Sequence, residues 1–248
     1  MSRTAERQAS VAKRLGPRAG FTMVELLVAV AVALIVTLGI YELYTTYVRA
    51  FIAHDRVVET QQSARIAIDT LTQDLILAGY KLQGTTPAIT LAADTTLEME
   101  LYNERDQRYE RIRYRLDGTS LRRDVYLEST TTAGTWDLEA DISAVLLDDV
   151  VAENPLSPAL TFSFFTQASL ETASQAGTAP AALDVSPPFD ADDPAETGAM
   201  PDTTNLLAIR QVRAVLTVRS AQPDPVSGRF IYRTLQADVK PRNAGLMR

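Results

Sequence analysis

Cysteine is absent from the 248 residues, which excludes disulfide staples, zinc–thiolate centres and a thiol nucleophile. Histidine occurs once, at His54, so triads built on histidine and multi-histidine metal sites are excluded as well. No phosphate-binding glycine loop, dinucleotide fingerprint or nucleophile–base pair is present. The chain therefore reads as non-enzymatic, with no cofactor and no bound metal. Basic residues are outnumbered, 24 against 31, for a net charge of −7, which disfavours general affinity for phosphate backbones, and no nucleic-acid partner is expected. Proline is missing between Pro17 and Pro87, and Gly39 is the only glycine between Gly20 and Gly79. With those two breakers scarce, one uninterrupted helix from Phe21 to about Leu77 is allowed, 57 residues or roughly 85 Å at 1.5 Å per residue.

The apolar fraction of 46% supports a packed core. Charge is unevenly placed. Arg3, Arg7, Lys13, Arg14 and Arg18 face only Glu6 within residues 1–20, a local balance of +4; the remaining residues carry 19 bases and 30 acids, a balance of −11. A basic stretch ahead of an apolar run marks the cytoplasmic side of a membrane segment, so the bulk of the chain is expected on the other side.

That run, FTMVELLVAVAVALIVTLGI from Phe21 to Ile40, is long enough to cross a bilayer's hydrocarbon core as a helix. It is too long for the apolar core of a secretory signal peptide. A plain anchor does not account for Glu25, because an ionised carboxylate near the bilayer centre costs about 2.5–3.5 kcal/mol even on the lenient insertion scale. A charge kept at that cost is a functional candidate.

The stretch Arg18-Ala19-Gly20-Phe21-Thr22-Met23-Val24-Glu25-Leu26 strongly resembles the class III signal of type IV prepilins: a basic leader, a glycine, a hydrophobic residue, and a glutamate four residues further on. The resemblance implies cleavage after Gly20 by a membrane aspartyl peptidase and methylation of the new amino terminus at Phe21. It also implies a filament-assembly role for Glu25, whose carboxylate would meet the amine of a neighbouring subunit. Such a pair offsets two charges that are costly alone, and fixes axial register more than it adds stability.

Past the membrane run the helix becomes amphipathic. Ala64, Ile68, Leu71, Leu75 and Ala78 recur at spacings of three and four, with Arg65, Asp69 and Gln73 on another side. Arg65 and Asp69 are placed to pair at i,i+4, and Gly79 falls where a left-handed cap ends a helix. The stretch Ser63–Tyr80 resembles the ARxALDxLxxDLRxAGY segment of PilW-type minor pilins, with a related segment in GspJ-type minor pseudopilins. The ending Thr234–Asn243 resembles the PilW tail. Many major pilins place a helix-breaking proline near the position of Glu42; here any bend would have to use Gly39.

Beyond Gly79 the apolar period changes to two. Leu97, Met99 and Leu101 alternate with polar residues, as do Ile112, Tyr114 and Leu116 with Arg111, Arg113 and Arg115. Asp117-Gly118 signals a turn into a strand at Leu121–Leu127. Further strands are expected at Leu160–Phe165, Ile209–Val218 and Phe230–Val239. The expected fold is α+β and pilin-like: a long N-terminal helix, half hydrophobic and half amphipathic, on an antiparallel sheet. The expected organisation is a cleaved leader over 1–20, a transmembrane, filament-core half-helix over 21–44, an amphipathic half over 45–79, and a β-rich domain over 80–248.

Within that domain Ala168–Asn205 has five prolines, nine alanines, seven acids and no lysine or arginine, and reads as a flexible acidic insertion without its own core. Asp190, Asp192, Asp193, Glu196 and Asp202 match no EF-hand spacing; they read as a solvated loop rather than a calcium site, and so does Asp148-Asp149. The arginines at 111, 113 and 115, with Arg105, Arg108, Arg122 and Arg123, read as the solvated face of a half-exposed sheet. His54 is assigned to the surface, and Trp136, Phe162, Phe164 and Phe165 to the core. The resemblance implies a minor pilin that primes or caps a type IV pilus, or a minor pseudopilin of a type II secretion system. Its partners would be prepilin peptidase, other major and minor pilins and the inner membrane, with the globular domain in the periplasm until assembly into a filament. An adhesive or DNA-receptor role, or a simple anchored periplasmic domain, are the further readings.

Overall fold

The structure, a computed structural model, describes residues 20–82, 86–130, 135–138, 142–154, 158–185, 189–190, 203–225 and 227–242. The chain divides into two compact units, Met1–Phe51 and Ile52–Arg248. Helix α1, Met23–Leu77, runs 55 residues and continues helical through Gly39. Its last turns carry the expected stripe: Ala64, Ala67, Ile68, Leu71 and Leu75 are buried, with Ala78 just past the end. Arg65 and Asp69 form the expected exposed pair at 3.9 Å. Gly79 closes the helix at φ 79°, a conformation that costs a residue without Cβ nothing. Its N–H donates to the Glu100 carbonyl at 2.8 Å, and the Tyr102 N–H donates to the Tyr80 carbonyl at 3.0 Å. The chain leaving the helix is thereby tied to the neighbouring strand.

Among the described residues ten strands follow in two antiparallel sheets. The first holds β1 (Ile89–Ala92), β2 (Thr96–Asn103), β3 (Arg108–Asp117), β4 (Ser120–Glu128), β5 (Trp136–Leu138), β6 (Ala144–Leu147) and β8 (Phe189–Asp190). Its order is β5-β4-β3-β2-β1-β8, with β6 also on β4. The second is β10 (Tyr232–Val239), β9 (Ile209–Arg219) and β7 (Leu160–Thr166), in that order. Asp117 pairs with Ser120 across the expected turn, where Gly118 takes φ 62° at the first position of a two-residue loop.

The described part of the insertion is more structured than its composition predicts. Residues of 168–205 supply helix α2, Gln167–Ala176, with Thr166 as N-cap and Gly177 as a left-handed C-cap; helix α3 is Thr203–Ala208. Ala173 and Val185 are buried, and the Leu183 N–H donates to the Phe164 carbonyl at 2.7 Å. Alanine has the highest helix propensity, and capping decides where an alanine-rich stretch winds up. Asp192, Asp193, Glu196 and Asp202 lie outside the described residues, as do the leader bases from Arg3 to Arg18 and Asn243.

The arginine face is likewise not a free solvated surface. Arg111 donates to Glu100 at 3.1 Å, Arg113 to Glu98 at 2.6 Å and Arg115 to Asp124 at 2.8 Å. Glu98 also accepts from the Thr90 hydroxyl at 2.9 Å. Alternation puts every second residue of β2, β3 and β4 on this face, so acids and bases meet directly across the ladder. Trp136 departs from its core assignment: it sits half-buried on β5 with the Arg111 guanidinium 4.1 Å from its ring centre. Phe162, Phe164 and Phe165 are in the core, and His54 is exposed. Asp148 and Asp149 lie in a loop as expected, Asp148 exposed and accepting from Ser120 at 2.6 Å, while Asp149 is half-buried and accepts from Arg219 at 2.9 Å.

Helix meets sheet at one polar point inside the apolar interface. The Asp74 carboxylate accepts the Tyr114 hydroxyl at 2.6 Å and the Arg123 Nε at 2.7 Å; Tyr114 and Arg123 are register partners on β3 and β4. Tyr114 is fully buried. Burial, then the charge and hydrogen bond of Asp74, hold its phenol well above the ordinary tyrosine range. Burial opposes the charge on Arg123, but the bond and charge of Asp74 outweigh it and raise its pKa.

Two outcomes follow for the full chain in detergent, with unfolding followed by the fluorescence of Trp136. Asp74→Ala strands a buried hydroxyl and a guanidinium and is expected to cost about 3 kcal/mol. The second concerns alkaline pH. A folded-state pKa above the unfolded one gives stability that is complete below the unfolded value, about 10, and lost as pH rises through the folded value. Stability should therefore fall above about pH 10, and Tyr114→Phe should flatten that slope while lowering stability at neutral pH.

Candidate functional site

The candidate residues sit at the very start of α1. Gly20 and Phe21 precede the helix, and Phe21 is 82% exposed. Glu25 lies in the first helical turn. The structure adds a partner that the sequence reading did not assign. The Glu25 N–H donates to the Thr22 Oγ1 at 3.2 Å, while the Glu25 carboxylate accepts the Thr22 N–H and hydroxyl, each at 3.4 Å. The Leu26 N–H donates to the Thr22 carbonyl at 3.1 Å, which makes Thr22 the N-cap. Thr22-Met23-Val24-Glu25 is thus a capping box, the S/T-x-x-E pattern in which cap and third residue satisfy each other's backbone donors. The spacing was visible in the sequence as threonine three residues before glutamate.

The box matters because the first N–H groups of a helix have no partner within it, and in hydrocarbon each unsatisfied group is expensive. A carboxylate there also faces the positive end of the helix dipole. Glu25 therefore has a local reason to be tolerated in an apolar run. From Phe21 through Leu43 every described side chain is exposed, including Val24, Leu27, Leu34, Leu38 and Leu43. Among the described residues α1 is the one helix long and apolar enough to cross a membrane.

A concavity of about 620 Å³ lies between α1 and the sheets, lined by Arg56, Glu59, Thr60 and Ser63 on one side and by Leu146–Asp149, Arg219 and Gln222 on the other. Arg56 is committed to the Gln222 side chain at 2.7 Å and the Pro223 carbonyl at 2.8 Å. Arg219 is committed to Asp149 and lies over the Phe230 ring at 4.3 Å. These contacts are structural. Among the described residues no group of three or more histidine, cysteine, aspartate or glutamate side chains is placed to hold a metal ion.

Residues 16–41 match the family model described as the prokaryotic N-terminal methylation motif. That segment contains Gly20, Phe21, the capping box and the whole apolar run Phe21–Ile40. The match marks the start of the chain as a prepilin-type methylation segment and covers 26 of the 248 residues. Among solved structures, the type IV-like pilin TTHA1219 from Thermus thermophilus is similar at 9% identity and TM-score 0.41, covering 74% of this chain and 97% of that one. No protein with a curated description matches.

Replacing Thr22 with alanine removes the acceptor for the Glu25 N–H and one donor to its carboxylate. Loss of a threonine cap costs about 1 kcal/mol, so amide exchange at Met23–Glu25 in micelles should quicken about fivefold, with residues beyond Val30 unchanged.

Proposed function

We propose that the chain is a minor pilin, made as a membrane-inserted precursor, cut after Gly20, methylated at Phe21 and built into a type IV pilus whose assembly it primes or caps. What supports this most is the N-terminal methylation motif over residues 16–41, which falls where an exposed apolar helix begins with a glutamate in its first turn. Cleavage would leave an amine on Phe21, next to the cap residue Thr22. Glu25 would then compensate the amine of an adjacent subunit, pairing two charges that neither subunit neutralises alone. The exposed first half of α1 would supply the apolar contacts of the filament core, and the sheets would form its outer part. Prepilin peptidase, other pilins and the inner membrane are the partners this requires, with the sheets on the periplasmic side before assembly.

A minor pseudopilin of a type II secretion system is the second reading. The Ser63–Tyr80 segment, whose apolar positions Ala64, Ile68, Leu71 and Leu75 are all buried, resembles both groups. Neighbouring genes for pilus assembly or for secretion would separate them.

The test is intact mass and N-terminal analysis of the protein from cells with and without prepilin peptidase. The expected result is a start at methylated Phe21 in the first strain and an uncut leader in the second. An uncut N-terminus in both strains, or a cut inside the apolar run, would sink the proposal.

A further inference from the structure

Sheet edges expose unpaired backbone groups, and proteins generally shorten, cover or charge them. Most edges here are dealt with. On the first sheet the outer strands are short: β5 has three residues, β6 four and β8 two. On the second sheet β7 is covered, since the Phe162 N–H donates to the Asp94 carbonyl and the Phe164 carbonyl accepts from the Leu183 N–H, both at 2.7 Å. The other edge, β10, is different. It runs eight residues, Tyr232–Val239, and pairs along its whole length with β9. Among the described residues no backbone bond reaches its outer side.

The register says which groups are on offer. The Ser220 N–H donates to the Ile231 carbonyl at 2.8 Å, so Ile231 and every second residue after it make the bonded pairs with β9. Thr234, Gln236 and Asp238 therefore turn their N–H and C=O groups outward. The strand is flat enough to be paired without a bulge, and it is anchored: Val239 is buried, and Leu235 and Ala237 pack against the core.

Its charge is the second observation. Arg229, Arg233, Lys240 and Arg242 are all exposed, whereas the one carboxylate on the strand, Asp238, is taken up by Arg213 at 2.6 Å and Gln236 at 2.9 Å. The edge is thus basic on a chain whose net charge is −7. We propose that β10 is a strand-addition site, and that its partner is an extended acidic segment of another protein that pairs with the outward backbone groups of Thr234, Gln236 and Asp238. Main-chain bonds would supply the affinity and the flanking bases the choice of partner. The inference is independent of N-terminal processing.

Proline tests this directly, because at an outward position it removes a donor that β9 does not use. The full chain in a non-ionic detergent would be titrated into a fluorescein-labelled eight-residue peptide alternating valine with glutamate, and binding read by polarisation. A peptide with lysine in place of glutamate is the control. Expected are saturable binding of the acidic peptide at least tenfold tighter than of the lysine one, weakening with salt, and at least tenfold loss in Thr234→Pro. Thr234→Ala, which loses the same hydroxyl contact with Thr217 (2.9 Å) but keeps the N–H, should bind as the parent does. Should Thr234→Pro misfold, amide exchange on the parent carries the test: protection at Thr234 and Gln236 must rise when the peptide is added. Equal binding of the two peptides, no effect of proline in a folded variant, or outward amides already protected in the free chain would overturn the proposal.

Discussion

One carboxylate governs how the helix meets the sheet. Asp74 lies on α1 among Leu71, Leu75 and Ala78, all buried, and takes a hydroxyl from β3 and a guanidinium from β4 at 2.6 and 2.7 Å. Apolar packing alone tolerates a slide or rotation of a helix on a sheet. A buried acceptor shared by two neighbouring strands does not, because any displacement strands polar groups out of reach of water. The β2–β3 register puts Leu97, Met99, Ile112 and Tyr114 on the face that carries this contact, and Glu98, Glu100, Arg111 and Arg113 on the other. A one-residue slip in the strand pairing would carry a whole strand's set to the opposite face and take Tyr114 or Arg123 away from Asp74.

Helix α1 does two unlike things with one backbone. Up to Leu43 its side chains are exposed throughout, and the helix is held by its own hydrogen bonds and the Thr22–Glu25 cap. From Ala64 onward it is one wall of a core. The chemistry of the first part suits a surrounding of hydrocarbon or of other helices, and that of the second suits a folded domain in water.

How far the sequence carried depended on whether a signal was local. The helix and its buried stripe were legible because breakers are missing and Ala64, Ile68, Leu71 and Leu75 follow the helical period. The Gly118 turn and the strands either side of it were legible from the Asp117-Gly118 pair and the apolar period of two. Trp136 was misassigned because its partner, Arg111, lies across the sheet on another strand. The arginine face looked solvated because Glu98, Glu100 and Asp124, which neutralise it, come from other strands. In the 168–205 segment the proline and acid content outweighed a short capped helix in the reading, although Thr166 and Gly177 stand at its two ends. At the N-terminus both the motif and the capping partner of Glu25 are local, the latter written as a threonine three residues before it.

The bases of this protein are nearly all arginine: lysine occurs only at positions 13, 81 and 240. On the outer face of the first sheet that choice makes charge adjustable from one side only. Guanidinium groups keep their proton at any pH a cell meets, so Arg111, Arg113, Arg115 and Arg122 are constants. Glu100 is the variable: burial pushes its pKa upward against the pull of Arg111. Protonating Glu100 would leave Arg111 facing a neutral partner, and the face would gain positive charge without moving a single base.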